Sequence, residues 1–139
     1  MAFAGVNFWA IIAAAVAGFL FGGLYYGLLS RQWLSASGQT MEEVQKTGML
    51  VPMAISAVAL LIMAWVLAGI VGHFGPGRIT VRHGLITGGL SWLGFVATTI
   101  AVNHAYQGAR RTLTLIDTGH WLGVLLIQGA VIGWLGALS

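Results

Sequence analysis

The chain has 139 residues, 58% of them hydrophobic and only 6% charged, with a mean hydropathy of +0.91. About a quarter of the residues of a soluble domain are charged, so a water-soluble globule is excluded. The net charge of +3 rests on six basic residues against three acids, too sparse a set for a nucleic-acid surface, and the lack of cysteine removes disulfide and thiolate chemistry.

Crossing a hydrocarbon core of roughly 30 Å takes about 20 apolar residues, and four stretches are long enough: 7–29, 49–72, 84–105 and 119–138. The predicted fold is therefore all-α, a polytopic membrane protein with four transmembrane helices in an antiparallel bundle, forming one domain over residues 1–139. The first stretch is read as a span and not a signal peptide. No basic residue precedes it, and it is longer than a signal core of about 7–15 residues. At about 100° per residue, Asn7, Ala14, Gly18, Gly22 and Tyr25 fall on one side of this helix. Trp9 and Trp33 would sit about 36 Å apart along it at 1.5 Å per residue, suiting the aromatic belts at the two interfaces.

In the turn from Ser30 to Gly48, Thr40 and Glu43 have capping-box spacing, which predicts a short helix from Met41 with Glu42 and Glu43 at its positive end. Pro52 then either opens the second span or kinks it. The next turn, His73 to His83, contains Gly75-Pro76-Gly77, a reversal signal. Its two flanking histidines lack the third ligand that even a catalytic zinc needs, so no metal is expected, and no cofactor either.

The third span carries a stripe of Gly88, Trp92, Thr99, Asn103 and Tyr106. Asn7 and Asn103 need partners inside the bundle or a place near its ends. His104 is read as the ionisable side chain within a span, near enough to its end for water or a headgroup to reach it. The turn from Tyr106 to Thr118 holds Arg110, Arg111 and Asp117, which can neutralise one another, and the two arginines are the candidate lipid-headgroup site. In the last span Trp121 marks the interface, and Gln128 is expected to make an interhelical hydrogen bond.

Glycines recur at four-residue spacing, and close backbone approach is what holds helices together in lipid. The candidate packing positions are Gly18, Gly22, Gly84, Gly88, Gly129 and Gly133; Gly23 with Gly27 and Gly119 with Gly123 have the same spacing. The candidate polar lining is Asn7, Tyr25, Trp92, Thr99, Asn103, His104 and Gln128. Four basic residues (Arg31, Lys46, Arg110, Arg111) share one side against Arg78 and Arg82 on the other, and since cytoplasmic loops collect Lys and Arg, both termini are expected outside.

The ordered pieces Asn7-Phe-Trp9, Gly22-Gly-Leu-Tyr-Tyr-Gly27, Trp33, Gly88-Gly-Leu-Ser-Trp-Leu-Gly-Phe-Val96 and Gly119-His-Trp121 give the chain, over most of its length, a pattern that resembles the small membrane family called domain of unknown function 1761. Two segments depart from the family pattern. Leu24 stands where a Gly-x-x-Trp-Tyr segment has Trp, and Asp117-Thr-Gly-His120 stands where Asn-Gly-Gly-Tyr is usual. The resemblance implies four helices in a bacterial inner membrane and carries no activity with it.

No catalytic constellation is read from the residues. Gly89-Leu-Ser-Trp-Leu-Gly94 has the wrong spacing and setting for a nucleophile elbow, and the spans as drawn hold no carboxylate for acid–base work. The expectation is a non-catalytic integral membrane protein acting through helix packing, as a homo-oligomer or an accessory subunit of a larger membrane complex. Its partners are then membrane lipids and copies of itself or other membrane subunits. The alternative is a small passive channel or transporter for a neutral or amphipathic solute.

Overall fold

The computed structural model describes residues 1–138. Four helices in it are long and apolar enough to cross a membrane, and the chain is a multi-pass, all-α membrane protein. Helix is the form this chain must take in lipid, because each backbone N–H and C=O there has to be satisfied within its own segment.

A two-residue-by-two-residue hairpin precedes the first span: β1 (Ala2–Phe3) pairs antiparallel with β2 (Val6–Asn7) around Ala4 and Gly5, both at positive φ. Positive φ at both central residues is the hairpin turn geometry that matches strand twist. Asn7 then caps α1 (Phe8–Leu28), its side-chain oxygen accepting from the Trp9 N–H at 2.9 Å. Leu29 breaks the helix, and α2 (Ser30–Ser37) and α3 (Met41–Thr47) occupy the segment expected to be mostly turn. The capping box at Thr40 and Glu43 is formed. Trp33 lies on α2, so the expected 24-residue run from Trp9 along one helix axis is interrupted.

The second span is α4 (Leu50–Gly72). Pro52 sits in its first turn, where its missing N–H has no intrahelical partner to lose, so it opens the helix. The third span is continuous but not uniform: α5 (Val81–Ser91), a π-helical turn (Trp92–Ala97) and α6 (Thr98–Gln107). The fourth, α7 (Arg111–Leu135), begins at Arg111 and not at Gly119, reducing the expected turn of 106–118 to a few residues around Gly108. In the polar stretch before Gly119 the Thr118 hydroxyl returns to its own helix, donating to the Thr114 carbonyl at 2.6 Å.

Contacts fix the directions. Thr80, Gly84 and Gly88 of the third span meet Gly133, Gly129 and Leu125 of α7 in reverse order, and Gly18, Gly22 and Tyr25 of α1 meet Gln128, His120 and Ile116 in the same sense. Phe3 and Ala4, just before α1, lie on Gly69 and Gly72 at the end of α4, while Gly18 lies on Leu60. Successive spans thus alternate, with α7 between α1 and α5 and with α4 against α1. The core between them is built of small and β-branched residues, among them Ala10, Ala14, Ala64, Ala68, Val71, Val124 and Ile132.

Glycine decides how close these helices come. A methyl placed on Gly84 would overlap the carbonyl oxygen of Gly129, and one on Gly129 would overlap that of Gly84. Gly88 faces the Leu125 carbonyl and Gly133 that of Thr80. At one crossing, then, two helices touch backbone to backbone over a little more than two turns. Gly23 and Gly27 face open space. The hairpin closes the end of the bundle where α4 and α7 finish: Val6 is fully buried, and the Phe3 ring packs 5.2 Å from that of Trp65.

Candidate functional site

The polar groups that meet across helices gather where α1 ends, α6 ends and α7 begins. Asp117 lies seven residues into α7, roughly 9 Å along its axis at 1.5 Å per residue. It accepts a 2.7 Å hydrogen bond from the Tyr26 hydroxyl on α1, and its other oxygen stands 3.8 Å from Nε2 of His104 on α6. This corrects the reading of Asp117 as a loop charge neutralised by Arg110 and Arg111, and the reading that the spans hold no carboxylate. Arg110 turns away and donates to the Ser35 carbonyl at 2.9 Å.

His104 is held from both sides, with Nδ1 2.8 Å from Thr114 Oγ1. One tautomer suits both contacts. With the Thr114 hydroxyl donating to Nδ1, the Nε2–H faces the carboxylate; the opposite tautomer would set a bare lone pair against it. Asp117 therefore joins three spans, through Tyr26 to α1 and through His104 to α6.

His120, one turn further along the same face, is a further ionisable group within a span besides His104 and Asp117, and the sequence reading passed over it. It is 7% exposed, and its ring is enclosed by Phe21 (6.1 Å, nearly parallel), Tyr25 (5.6 Å), Tyr26 (4.7 Å) and Trp121 (4.6 Å, edge-on). Gly22 makes the room: a methyl there would stand 2.9 Å from Nε2. Nδ1 of His120 has no hydrogen-bond partner among the described residues. Tyr25 donates to the Ile116 carbonyl at 2.8 Å, past Gly119.

Trp92 ties the third span to this region, its indole N–H donating to the Thr118 carbonyl at 2.8 Å. It opens the π-helical turn, a feature that inserts one extra residue into the helical repeat and recurs at functional positions. Thr98 and Thr99, just past the turn, donate back to the carbonyls of Gly94 and Phe95. Trp92→Phe keeps most of the ring but leaves the Thr118 carbonyl one donor short; we expect a loss of about 1 kcal/mol, read as a lower unfolding temperature in detergent.

The other residues singled out from sequence do not converge here. Asn7 caps α1 at the opposite end. Thr99 and Asn103 are exposed on one face of the third span, toward lipid. Gln128 is 0% exposed in the middle of the bundle, where its amide donates to the Leu60 carbonyl at 3.0 Å while its own oxygen is unpartnered among the described residues. That amide is a poor bargain energetically. Gln128→Leu removes one hydrogen bond and one orphaned acceptor together, and exchanging buried polar groups for apolar ones of similar shape is near neutral. The expected change in unfolding free energy is within about 1 kcal/mol, checked by the same thermal scan.

His73 and His83 flank the turn between α4 and α5, and each ring engages its own helix end: His73 the Gly69 carbonyl, His83 the Thr80 hydroxyl at 2.9 Å. Among the described residues no three His, Cys, Asp or Glu side chains converge as a metal site would require. What the Asp117 cluster does is tie three helices together through polar side chains.

The family model described as protein of unknown function (DUF1761) matches residues 9–133. No curated protein and no solved structure matches the chain.

Proposed function

We propose, from the premise that the chain belongs to the DUF1761 family, that it is a non-catalytic membrane component acting through helix contacts. It works with copies of itself or as an accessory subunit of a larger membrane complex. One observation carries this reading: two half-spans at the same end of the bundle are left uncovered. Every residue from Leu50 to Val58 on α4 is exposed, and each residue of α6 is exposed or half-buried, with Tyr106 91% exposed. The same chain packs α5 on α7 backbone to backbone. The uncovered face of α6 also carries Thr99 and Asn103 one turn apart, and an amide turned toward hydrocarbon is costly unless another group covers it.

The setting proposed with it is a bacterial inner membrane with both termini outside. It draws on the family's resemblance and on the four basic residues at the α2–α3 end against two at the other.

The protein lacks cysteine, so single cysteines report contacts without background. Val102→Cys on α6 or Ile55→Cys on α4, oxidised in native membranes, is expected to yield crosslinked dimers or a crosslinked larger subunit. Leu24→Cys on the outer face of α1 is expected to give none. A chain that stays monomeric and uncrosslinked from every position, in membranes and in nanodiscs, would sink the reading.

The second reading, a passive channel or transporter for a neutral or amphipathic solute, uses the same face. Thr99 and Asn103 would line a lumen only between copies, because they point out of the single bundle. Liposome flux that requires the protein and is lost in Asn103→Leu would favour it.

A further inference from the structure

A groove of about 340 Å³ opens between α2 and the start of α7, lined by Arg31, Gln32, Ser35, Ala36, Arg110 and Thr112. We infer that it binds a phosphate-bearing anion, of the kind a phospholipid headgroup presents, between the guanidinium groups of Arg31 and Arg110.

The residues that build it come from two elements brought together by the fold. Arg31, Gln32, Ser35 and Ala36 lie on one side of α2 at helical spacing, with Ala36 buried so that α2 sits close on its neighbours. Arg110 and Thr112 flank the first residue of α7. The hydrogen bond from Arg110 to the Ser35 carbonyl fixes the guanidinium across the gap. An Arg guanidinium has five N–H donors in a planar fork, so one bond to Ser35 leaves donors for an anion.

Charge favours the same occupant. The three acids of the chain are placed elsewhere: Glu43 and Glu42 in the first turn of α3, and Asp117 on Tyr26. At the groove α7 presents the positive end of a 25-residue helix whose N-cap, Arg110, makes no side-chain cap bond, an arrangement that favours negative charge at its free N–H groups. Two arginines supply a planar, two-pronged fit to phosphate oxygens.

Depth selects the source. α2 starts two residues after the first span ends, and the groove's other wall is the first turn of the fourth span, so the cavity lies at headgroup level. The pair is Arg31 with Arg110, not Arg110 with Arg111 as the sequence suggested; Arg111 is exposed and does not line the groove.

The test uses the full chain in nanodiscs of phosphatidylcholine with a minority of phosphatidylglycerol, followed by native mass spectrometry of the lipids that stay bound. Selective retention of phosphatidylglycerol is expected, reduced about fivefold by Arg31→Gln, in line with the usual contribution of one basic residue near an anionic surface, and unchanged by Arg111→Gln. Arg110→Gln also loosens α2, so Arg31→Gln is the deciding variant, with Arg31→Lys expected to restore part of the retention. A second arm adds inorganic phosphate to discs of phosphatidylcholine alone. An Arg31-dependent rise in unfolding temperature there, without phosphatidylglycerol retention, identifies a free anion as the occupant. If Arg31→Gln and Arg111→Gln behave alike in both arms, the groove is not a phosphate site.

Discussion

Gly129→Ala is expected to destabilise the bundle by about 3 kcal/mol, the upper end of what overpacking usually costs. The reason is what the new methyl meets. At most crowded sites a neighbouring side chain rotates away, but here the neighbour is the carbonyl oxygen of Gly84, part of a helix backbone. The only relaxation is to push α5 and α7 apart, which also loosens the approaches of Gly88 to Leu125 and Gly133 to Thr80. Gly84→Ala should behave alike, because the contact is reciprocal. The double variant should cost less than the two together, since the first methyl already separates the helices. Gly23→Ala and Gly27→Ala are the controls. Both face open space, and alanine is favoured over glycine within a helix by up to about 1 kcal/mol, so these variants should match or exceed the parent. Thermal unfolding in detergent micelles reads all five; equal effects at the packed and open glycines would contradict the proposed basis of the α5–α7 contact.

Hydropathy reveals the spans because lipid imposes a length on them, and Gly18, Gly22, Gly84, Gly88, Gly129 and Gly133 stand out because four-residue spacing puts them on one helix face. Spacing cannot say which of two such faces finds a partner: Gly23 and Gly27 have the same pattern and meet nothing. The Asp117 cluster was legible only in pieces. Asp117 and His120 are three apart, which places them on one face of a helix, and Tyr25-Tyr26 closes the first apolar run. Reading them together required α7 to begin at Arg111, and a hydropathy window stops before that, at residues whose polarity is spent on their own helix and on α1. The nearest basic residues in sequence, Arg110 and Arg111, then look like the natural counter-charges. The fold instead brings Tyr26 from 91 positions away and sends Arg110 to Ser35. The π-helical turn at Trp92–Ala97 is likewise silent in the sequence, because it shifts the repeat by one residue without changing composition. So is the hairpin, too short and too apolar to separate from the span it caps.

Asp117→Leu is expected to cost about 2–3 kcal/mol, where a solvated loop carboxylate would cost within about 0.5 kcal/mol. The substitution removes the acceptor of Tyr26 and the carboxylate that faces His104 together, leaving a hydroxyl and an imidazole N–H facing an aliphatic side chain between three helices. Asp117→Asn keeps an oxygen for the Tyr26 hydroxyl and should lose only about 1 kcal/mol. Tyr26→Phe isolates the other half. It deletes the donor but keeps the ring that packs 4.7 Å from His120, so its cost should reflect the hydrogen bond and not the aromatic cage. In a double-mutant cycle Asp117→Leu and Tyr26→Phe should be non-additive by about 1 kcal/mol, because once the hydroxyl is gone the lost carboxylate strands only His104. Additive costs would mean that the two side chains stabilise the bundle independently and that the 2.7 Å contact contributes nothing. His104→Gln completes the argument from the α6 side. Nε2 of His104 stands 3.8 Å from the carboxylate, too far for a hydrogen bond, so an uncharged amide in its place should keep most of the stability, and a loss as large as that of Asp117→Leu would overturn this account of the cluster.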